Sequence, residues 1–460
     1  MEDTIAAIAT PLGTAGIGKI RVSGPDAFEV GNRIFQYSGG KNIKQFKSHT
    51  AHHGRIIDPA KEKVIDEVVA IIFKNPHSFT GEDVIEFDCH GGKLPLQKVL
   101  EVILENGARL AEPGEFSKRA FLNGKIDLSQ AESIMEVINS QTERSLDIAV
   151  NHLTGQLSDK ISEIRDNVIN LLAHLEASID FPEDEIENFD SSELGQRIEE
   201  IKNDIENLLA TSKQGKLYRE GISTVIVGKP NVGKSSLLNY LLAEKRAIVT
   251  EIPGTTRDII EEYINLNGIP LKIIDTAGIR PTEDVVEKIG VEKTRSSLEK
   301  ADLVLMILDV SQGIEKQDLE VYNLINDKPV IILVNKTDLS RNNISEEELD
   351  EVFPEQQKIW ISIKTEKGLN KLKETIEDII FSREIDTGNE PVITRMRHQE
   401  ALEESLEAIN KVQESLTRDL PHDFLTIDLK NCLTSLGKIT GETVNEDIVE
   451  QIFSDFCLGK

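Results

Sequence analysis

TVIVGKPNVGKSSLLNYLLA, residues 224–243, decides what the middle of this chain is. A short run of β-branched residues ends at Gly228, and a helix-forming run begins at Lys234. Between them Gly228–Ser235 reads GxxxxGK[ST], in the strand–loop–helix setting that this pattern requires. Its glycines let backbone N–H groups wrap a phosphate chain, and the helix N-terminus adds its dipole. Such a loop lines a phosphate site with Asn231, Val232, Gly233, Lys234, Ser235 and Ser236. Lys234 reaches the β- and γ-phosphates, and the Ser235 hydroxyl binds Mg2+.

Working outward, residues 218–382 alternate apolar strands with helical segments: DLVLMILDV, PVIILVNKTD and KIWIS follow the loop in turn, after a hairpin around Asn267-Gly268. That alternation predicts a parallel sheet covered on both faces. Asp275-Thr276-Ala277-Gly278 ends one strand; Asp275 can hold Mg2+ through water, and the Gly278 N–H can sense a γ-phosphate. Asn335-Lys336-Thr337-Asp338 ends another. The Asp338 carboxylate can accept two hydrogen bonds from guanine, a pair that adenine cannot offer. Ser362-Ile363-Lys364 fits the loop whose backbone N–H meets the guanine oxygen. Four motifs in this order imply GTP.

Ile279 raises a difficulty, because it stands where a polar side chain usually holds the attacking water. Either the chain does not hydrolyse its nucleotide, or the water is held from elsewhere.

The remainder frames this unit. A length of 460 residues implies two to four domains. Residues 1–120 mix short strands (Val64–Phe73, Val84–Asp88) with the turns GTAGIG and HGG, as an α/β or α+β domain does. In 121–217, Leu157, Ile161, Ile164, Val168, Leu171, Leu175 and Ile179 form one apolar helical stripe, read as bundle core. The acidic run DFPEDEIENFD that follows reads as a solvated face. Helical pattern returns in 383–460, so the α/β unit is expected to be inserted into one discontinuous helical domain. A net charge of −29 argues against non-specific nucleic-acid binding as the main role, though not against a local basic site. The three cysteines lack the spacing of a disulfide framework or structural zinc site. With no signal-like start and no membrane-length apolar run, a reduced, cytoplasmic protein is expected.

The ordered nucleotide motifs resemble the translation-factor-related class of Ras-like P-loop GTPases, in which a hydrophobic residue after DxxG, here Ile279, is common. That resemblance extends to Thr250-Glu251-Ile252-Pro253-Gly254-Thr255-Thr256. It implies Thr256 as the second Mg2+ hydroxyl, and K+ held by Asn231, Thr255 and the carbonyls of Thr250 and Ile252. Pro253 stands where relatives often carry alanine.

Outside this domain, DTIAAIATPLGTAGIGKIRVSG, FTGEDVIEFDCHGG, EPGEFSKRAFLNGKIDLSQAE and the ending ITGETVNEDIVEQIFSDFCLGK resemble the MnmE (TrmE) family of tRNA-modification GTPases. With the G domain, the resemblance runs from residue 3 to 460. It implies a folate-binding α+β N-terminal domain that forms a homodimer. It also implies a partner, an MnmG-like flavoprotein bringing FAD and NADH into a heterotetramer. Together they would place a (carboxymethyl)aminomethyl group on carbon 5 of the wobble uridine of certain tRNAs. The one-carbon donor would be 5,10-methylene- or 5-formyl-tetrahydrofolate. By the same resemblance Arg21, Glu86, Lys125 and Lys460 contact folate, and Glu287, twelve positions beyond Asp275, orients the water. Glu283 is a rival closer to the switch. Cys457 is either a nucleophile or a small residue at a helix end; Cys89 and Cys432 read as packing, and His90 as structural. The competing readings are a ribosome-assembly GTPase and a purely regulatory GTPase scaffold, neither of which needs the folate residues or the CLGK ending.

Overall fold

A computed structural model describes residues 3–37, 39–180, 191–244, 262–266, 268–274, 297–325, 328–339, 343–381, 391–418 and 420–460. Near the N-terminus, strands β1 (Ile5–Ile8), β2 (Ile17–Ser23), β3 (Phe35–Tyr37), β4 (Thr50–Asp58), β5 (Lys63–Phe73), β6 (Val84–His90) and β7 (Arg109–Leu110) form one sheet. Its order is β3-β4-β5-β6-β2-β1-β7, with only the β1–β7 pair parallel. Alternation decides its two faces. Ile20 and Val22 of β2, with Ile85, Phe87 and Cys89 of β6, pack into the core under helices Ala27–Ile34 and Lys93–Glu105. Lys19, Arg21, Glu86 and Asp88 therefore share the opposite face.

Four helices, Gln156–Asp180, Ser191–Ala210, Met396–Thr417 and His422–Thr440, bury one continuous core. In it Leu157, Ile161, Ile164, Val168, Leu171 and Leu175 meet Ile198, Ile205, Leu402, Ile409, Leu429 and Leu436. The helices flanking the central domain thus make a single bundle. The expected stripe ends one turn early, since Ile179 is exposed. Ser178 already meets His422, the first residue of the helix it packs against, so the last turn runs past the bundle's end.

A buried charge cluster links helix Leu128–Asn139 to the start of helix Met396–Thr417. Glu132 takes hydrogen bonds from Arg397 at 2.7 Å and contacts His398 at 3.0 Å; Glu136 binds Arg395 at 2.7 Å. Burial pushes His398 down to about 4, against the opposing pull of Glu132. A base whose folded pKa lies below its ordinary 6.5 costs stability on acidification, because the unfolded chain takes up the proton first. Lowering the pH from 6.5 towards 4 should therefore remove up to about 3 kcal/mol through this residue. His398→Gln should flatten the profile in that window, as denaturant titrations at several pH values can measure. An unchanged profile would mean that His398 does not titrate differently on folding.

The central sheet contains β8 (Ile222–Val227), β9 (Glu262–Leu266), β10 (Ile269–Ile274), β11 (Leu303–Asp309), β12 (Val330–Asn335) and β13 (Gln357–Trp360). Its order is β13-β12-β11-β8-β10-β9, parallel except for the β9–β10 hairpin. Strands β11 and β12 are buried along their whole length between two apolar layers, which explains their unbroken runs of aliphatic residues. The hairpin tip is fastened to the helical domain: Thr142, which caps helix Glu143–Leu153, also donates its hydroxyl to the Gly268 carbonyl at 2.6 Å.

Candidate functional site

Three of the nucleotide motifs, the phosphate loop, Asn335–Asp338 and Ser362–Lys364, meet at the carboxyl ends of the parallel strands, beside β8, where strand order reverses and α/β sheets bind ligands. The loop after β8 turns through positive φ at Gly228, Asn231 and Gly233 before helix Lys234–Glu244 begins. A Cβ on Gly233 would lie 2.4 Å from the Asn335 side-chain nitrogen, so only glycine lets the loop pack this close. Asn335 joins the sites: its amide donates to the Val232 carbonyl at 2.8 Å, and its oxygen accepts from the Ile363 N–H at 3.3 Å. The phosphate loop and the base loops are thereby held in one frame.

Lys234 folds over its own loop, donating to the carbonyls of Gly228 and Lys229 at 2.8 and 2.7 Å. Burial lowers its pKa. Ser235 and Ser236 open the helix behind it. At the base end, the Ser362 hydroxyl donates to Asp338 at 2.7 Å, which holds that carboxylate below its usual range. Asp338 itself is exposed, with both the fixed orientation and the charge that a guanine edge needs. Thr337 bonds the Ile361 carbonyl, tying the two base loops together, and Lys364 follows in the second of them.

Sequence reasoning missed the groups behind these residues. Lys336, at φ +67°, is held by buried Asp309 at 2.6 Å. Lys229 is buried between Glu315 and Asp318 at 2.8 and 2.9 Å. Neither pair has a local signal, since the partners lie on another strand end and another helix. Thr250, Glu251, Ile252, Pro253, Gly254, Thr255, Thr256, Asp275, Thr276, Ala277, Gly278, Glu283 and Glu287 lie outside the described residues.

A second site forms where the last residues meet the N-terminal sheet. Arg21 and Glu86 face each other across β2 and β6, bonded at 2.8–2.9 Å. Lys19 holds the other Glu86 oxygen at 2.6 Å. Burial alone would raise Glu86, but the two cations outweigh it and keep the carboxyl below its usual range. Its second oxygen retains room for one more donor. The Arg21 guanidinium lies over the rings of Phe79 and Phe116, 5.4 and 5.5 Å from their centroids.

The C-terminal segment runs directly beneath. Phe116 donates its N–H to the Lys460 carbonyl at 3.2 Å, and Gly459, at φ +91°, sits where a Cβ would strike the Ile8 carbonyl at 2.4 Å. Lys460 is half-buried; burial and the neighbouring Arg21 lower its pKa, while Cys457 and Glu86 pull the other way. Lys460, Arg21 and Glu86 are thus brought together from opposite ends of the chain. Lys125 is exposed and bonds the Pro76 carbonyl at 3.0 Å, on the loop that carries Phe79. Cys457 is exposed, whereas burial pushes the Cys89 and Cys432 thiols up to about 12 and makes them inert packing. His90 is fixed by Asp66 at 2.6 Å. Lys19 was legible in principle, because it lies two positions from Arg21 on the same strand face. Phe79 and Phe116 were not. Among the described residues no group of His, Cys, Asp and Glu could hold a metal ion, and no helix is long and apolar enough to cross a membrane.

Comparisons with known proteins cover the whole chain. Residues 4–125 match the family model described as "GTP-binding protein TrmE N-terminus", and residues 128–457 match "MnmE helical domain". Proteins called tRNA modification GTPase MnmE are similar over 100% of both chains: 50% identical in Desulforamulus reducens, 48% in Clostridioides difficile and 47% in Alkaliphilus oremlandii.

Proposed function

We propose the chemistry that follows from one premise: this chain belongs to the MnmE family of tRNA modification GTPases. It hydrolyses GTP in the service of tRNA modification. The finer reading is that it acts with an MnmG-like flavoprotein, which brings FAD and NADH, to place a (carboxymethyl)aminomethyl group on carbon 5 of a wobble uridine. It works as a cytoplasmic homodimer within a heterotetramer, and a tetrahydrofolate supplies the one-carbon unit.

The phosphate loop fits its substrate. Its close-packed glycines leave the backbone N–H groups to bind phosphate, and Lys234, freed from the Gly228 and Lys229 carbonyls, turns to the β- and γ-oxygens. Ser235, Thr256 and Asp275, the last through water, would hold Mg2+; Asn231, Thr255 and the carbonyls of Thr250 and Ile252 would hold K+. Bound there, the two cations supply positive charge against the charge developing on the phosphates. Asn231 already adopts the positive φ, +62°, that turns its part of the loop. Asp338 selects guanine, and Glu287 orients the water that Ile279 cannot.

The folate reading rests most on the meeting of Lys460 with Arg21 and Glu86. Two cations suit glutamate-tail carboxylates, a carboxylate with spare acceptor capacity suits a pterin edge, and the exposed Phe79 ring suits a planar group. Lys125, exposed and bonded to the Pro76 carbonyl, would be the fourth folate contact. Cys457, exposed beside these groups, is open to either of its two roles.

Removing Lys460 should weaken 5-formyl- or 5,10-methylene-tetrahydrofolate binding by about 10–100-fold, the range of one charge-assisted contact. GTP binding should be unaffected. Lys460→Met, which keeps the carbonyl bonded to Phe116, should weaken folate similarly. Titration calorimetry giving unchanged folate affinity for both variants would remove Lys460 from the site.

A further inference from the structure

The negative charge of this chain is unevenly spread. Residues 1–125 hold sixteen basic and sixteen acidic side chains, so the whole net charge of −29 falls on the rest. Within them, residues 30–57 contain no Asp or Glu, yet include Arg33, Lys41, Lys44, Lys47 and Arg55. In a chain with 81 acidic residues in 460, such a gap needs a reason.

The structure displays these lysines on an ordered loop at the sheet's outer edge, between the terminal strand β3 and its neighbour β4. Ile43 and Phe46 are buried and anchor the loop, and Asn42 with Gln45 caps the turn between them. Asn32 accepts from the Ile43 N–H at 2.7 Å. Phe46 stacks on His52 with centroids 3.6 Å apart, and Tyr37 closes the group edge-on to both. Lys41, Lys44 and Lys47 consequently stand out at three-residue intervals, all exposed. Lys74 arrives from the end of β5 and donates to the Lys44 carbonyl at 3.1 Å. Lys44 pairs with Glu29 and also feels Asp26 and Asp83; among the described residues neither Lys41 nor Lys47 is ion-paired.

We propose that this loop, with Lys41 and Lys47 as its free cations and Lys44 and Lys74 beside them, is a surface that grips the phosphate backbone of RNA. The inference rests on the tRNA reading above and adds where the RNA is held. RNA is repelled by most of a body this acidic, so productive contact needs a local basic island. The apolar anchors and the turn cap keep the loop in place beforehand, so little ordering cost remains on binding. His52, whose pKa is lowered by burial and by Lys41, stays neutral and acts as a brace.

The test is fluorescence anisotropy with an unmodified tRNA transcript and the full chain, between 50 and 200 mM KCl. Lys41→Gln/Lys47→Gln should weaken binding and reduce the slope of log K against log salt by about 1–2, one per lost phosphate contact. RNA-free GTP hydrolysis should be unchanged, showing that the variant folds. Equal affinity and slope in both proteins would overturn the surface while leaving tRNA as the substrate. A variant that loses self-association in sedimentation but keeps RNA affinity would make the loop a contact between copies, and would also overturn it. If even the unaltered chain binds no transcript, the proposal fails, and wobble-nucleoside analysis of a deletion strain then decides the tRNA reading separately.

Discussion

Glu287→Ala should keep GTP affinity and K+-driven association of the G domains, yet slow hydrolysis by about 10²–10⁴-fold, the range of a positioned acid–base group. Ile279 offers no lone pair to the attacking water, and a carboxylate can accept its hydrogen bond and align it. Glu287 is far from the phosphates in sequence and lies outside the described residues. The proposal is that it swings in when two GTP-bound G domains meet. Glu283→Ala, beside Pro281, should change little. Single-turnover assays in K+ separate the two, and a Glu287→Ala protein hydrolysing near the normal rate would show that another group holds the water.

Gly233→Ala should lose GTP binding by about 10²–10³-fold without unfolding the domain. Two costs combine. The backbone sits at φ +115°, a region that costs a side-chain-bearing residue about 1–3 kcal/mol. The new Cβ would also lie 2.4 Å from the Asn335 amide nitrogen, displacing the group that bonds both Val232 and Ile363. Losing those two bonds adds about 1 kcal/mol each. Equilibrium binding of a fluorescent GTP analogue, with circular dichroism as the folding control, gives the answer. Near-normal affinity would mean that Asn335 is not the hub linking phosphate and base loops.

Much of this was legible because the information is local. The stretch 224–243 carries strand, loop and helix in twenty residues, and β11 and β12 announce burial on both faces by unbroken aliphatic runs. The helical stripe from Leu157 to Leu175 follows from a 3.6-residue period, and the period fails at Ile179 only because the neighbouring helix starts there. Non-local partners left no such trace. Nothing near Lys336 points to Asp309, and nothing near Arg21 points to Phe116 or to Lys460, more than four hundred positions away. The resemblance supplied Lys460, whereas Phe79, Phe116 and the Glu132–His398 cluster came only with the fold. The hairpin tip shows the same limit: the turn was readable from Asn267-Gly268, but its fastening to Thr142 was not.

GTP hydrolysis, as proposed above, serves modification of tRNA at the wobble uridine. Mass spectrometry of wobble nucleosides tests it most directly, in a strain lacking this protein and in the same strain carrying either the unaltered chain or Glu287→Ala. The C5-aminomethyl-type uridine should disappear on deletion, return with the unaltered chain and fail to return with Glu287→Ala. Unchanged wobble nucleosides in the deletion strain would contradict it.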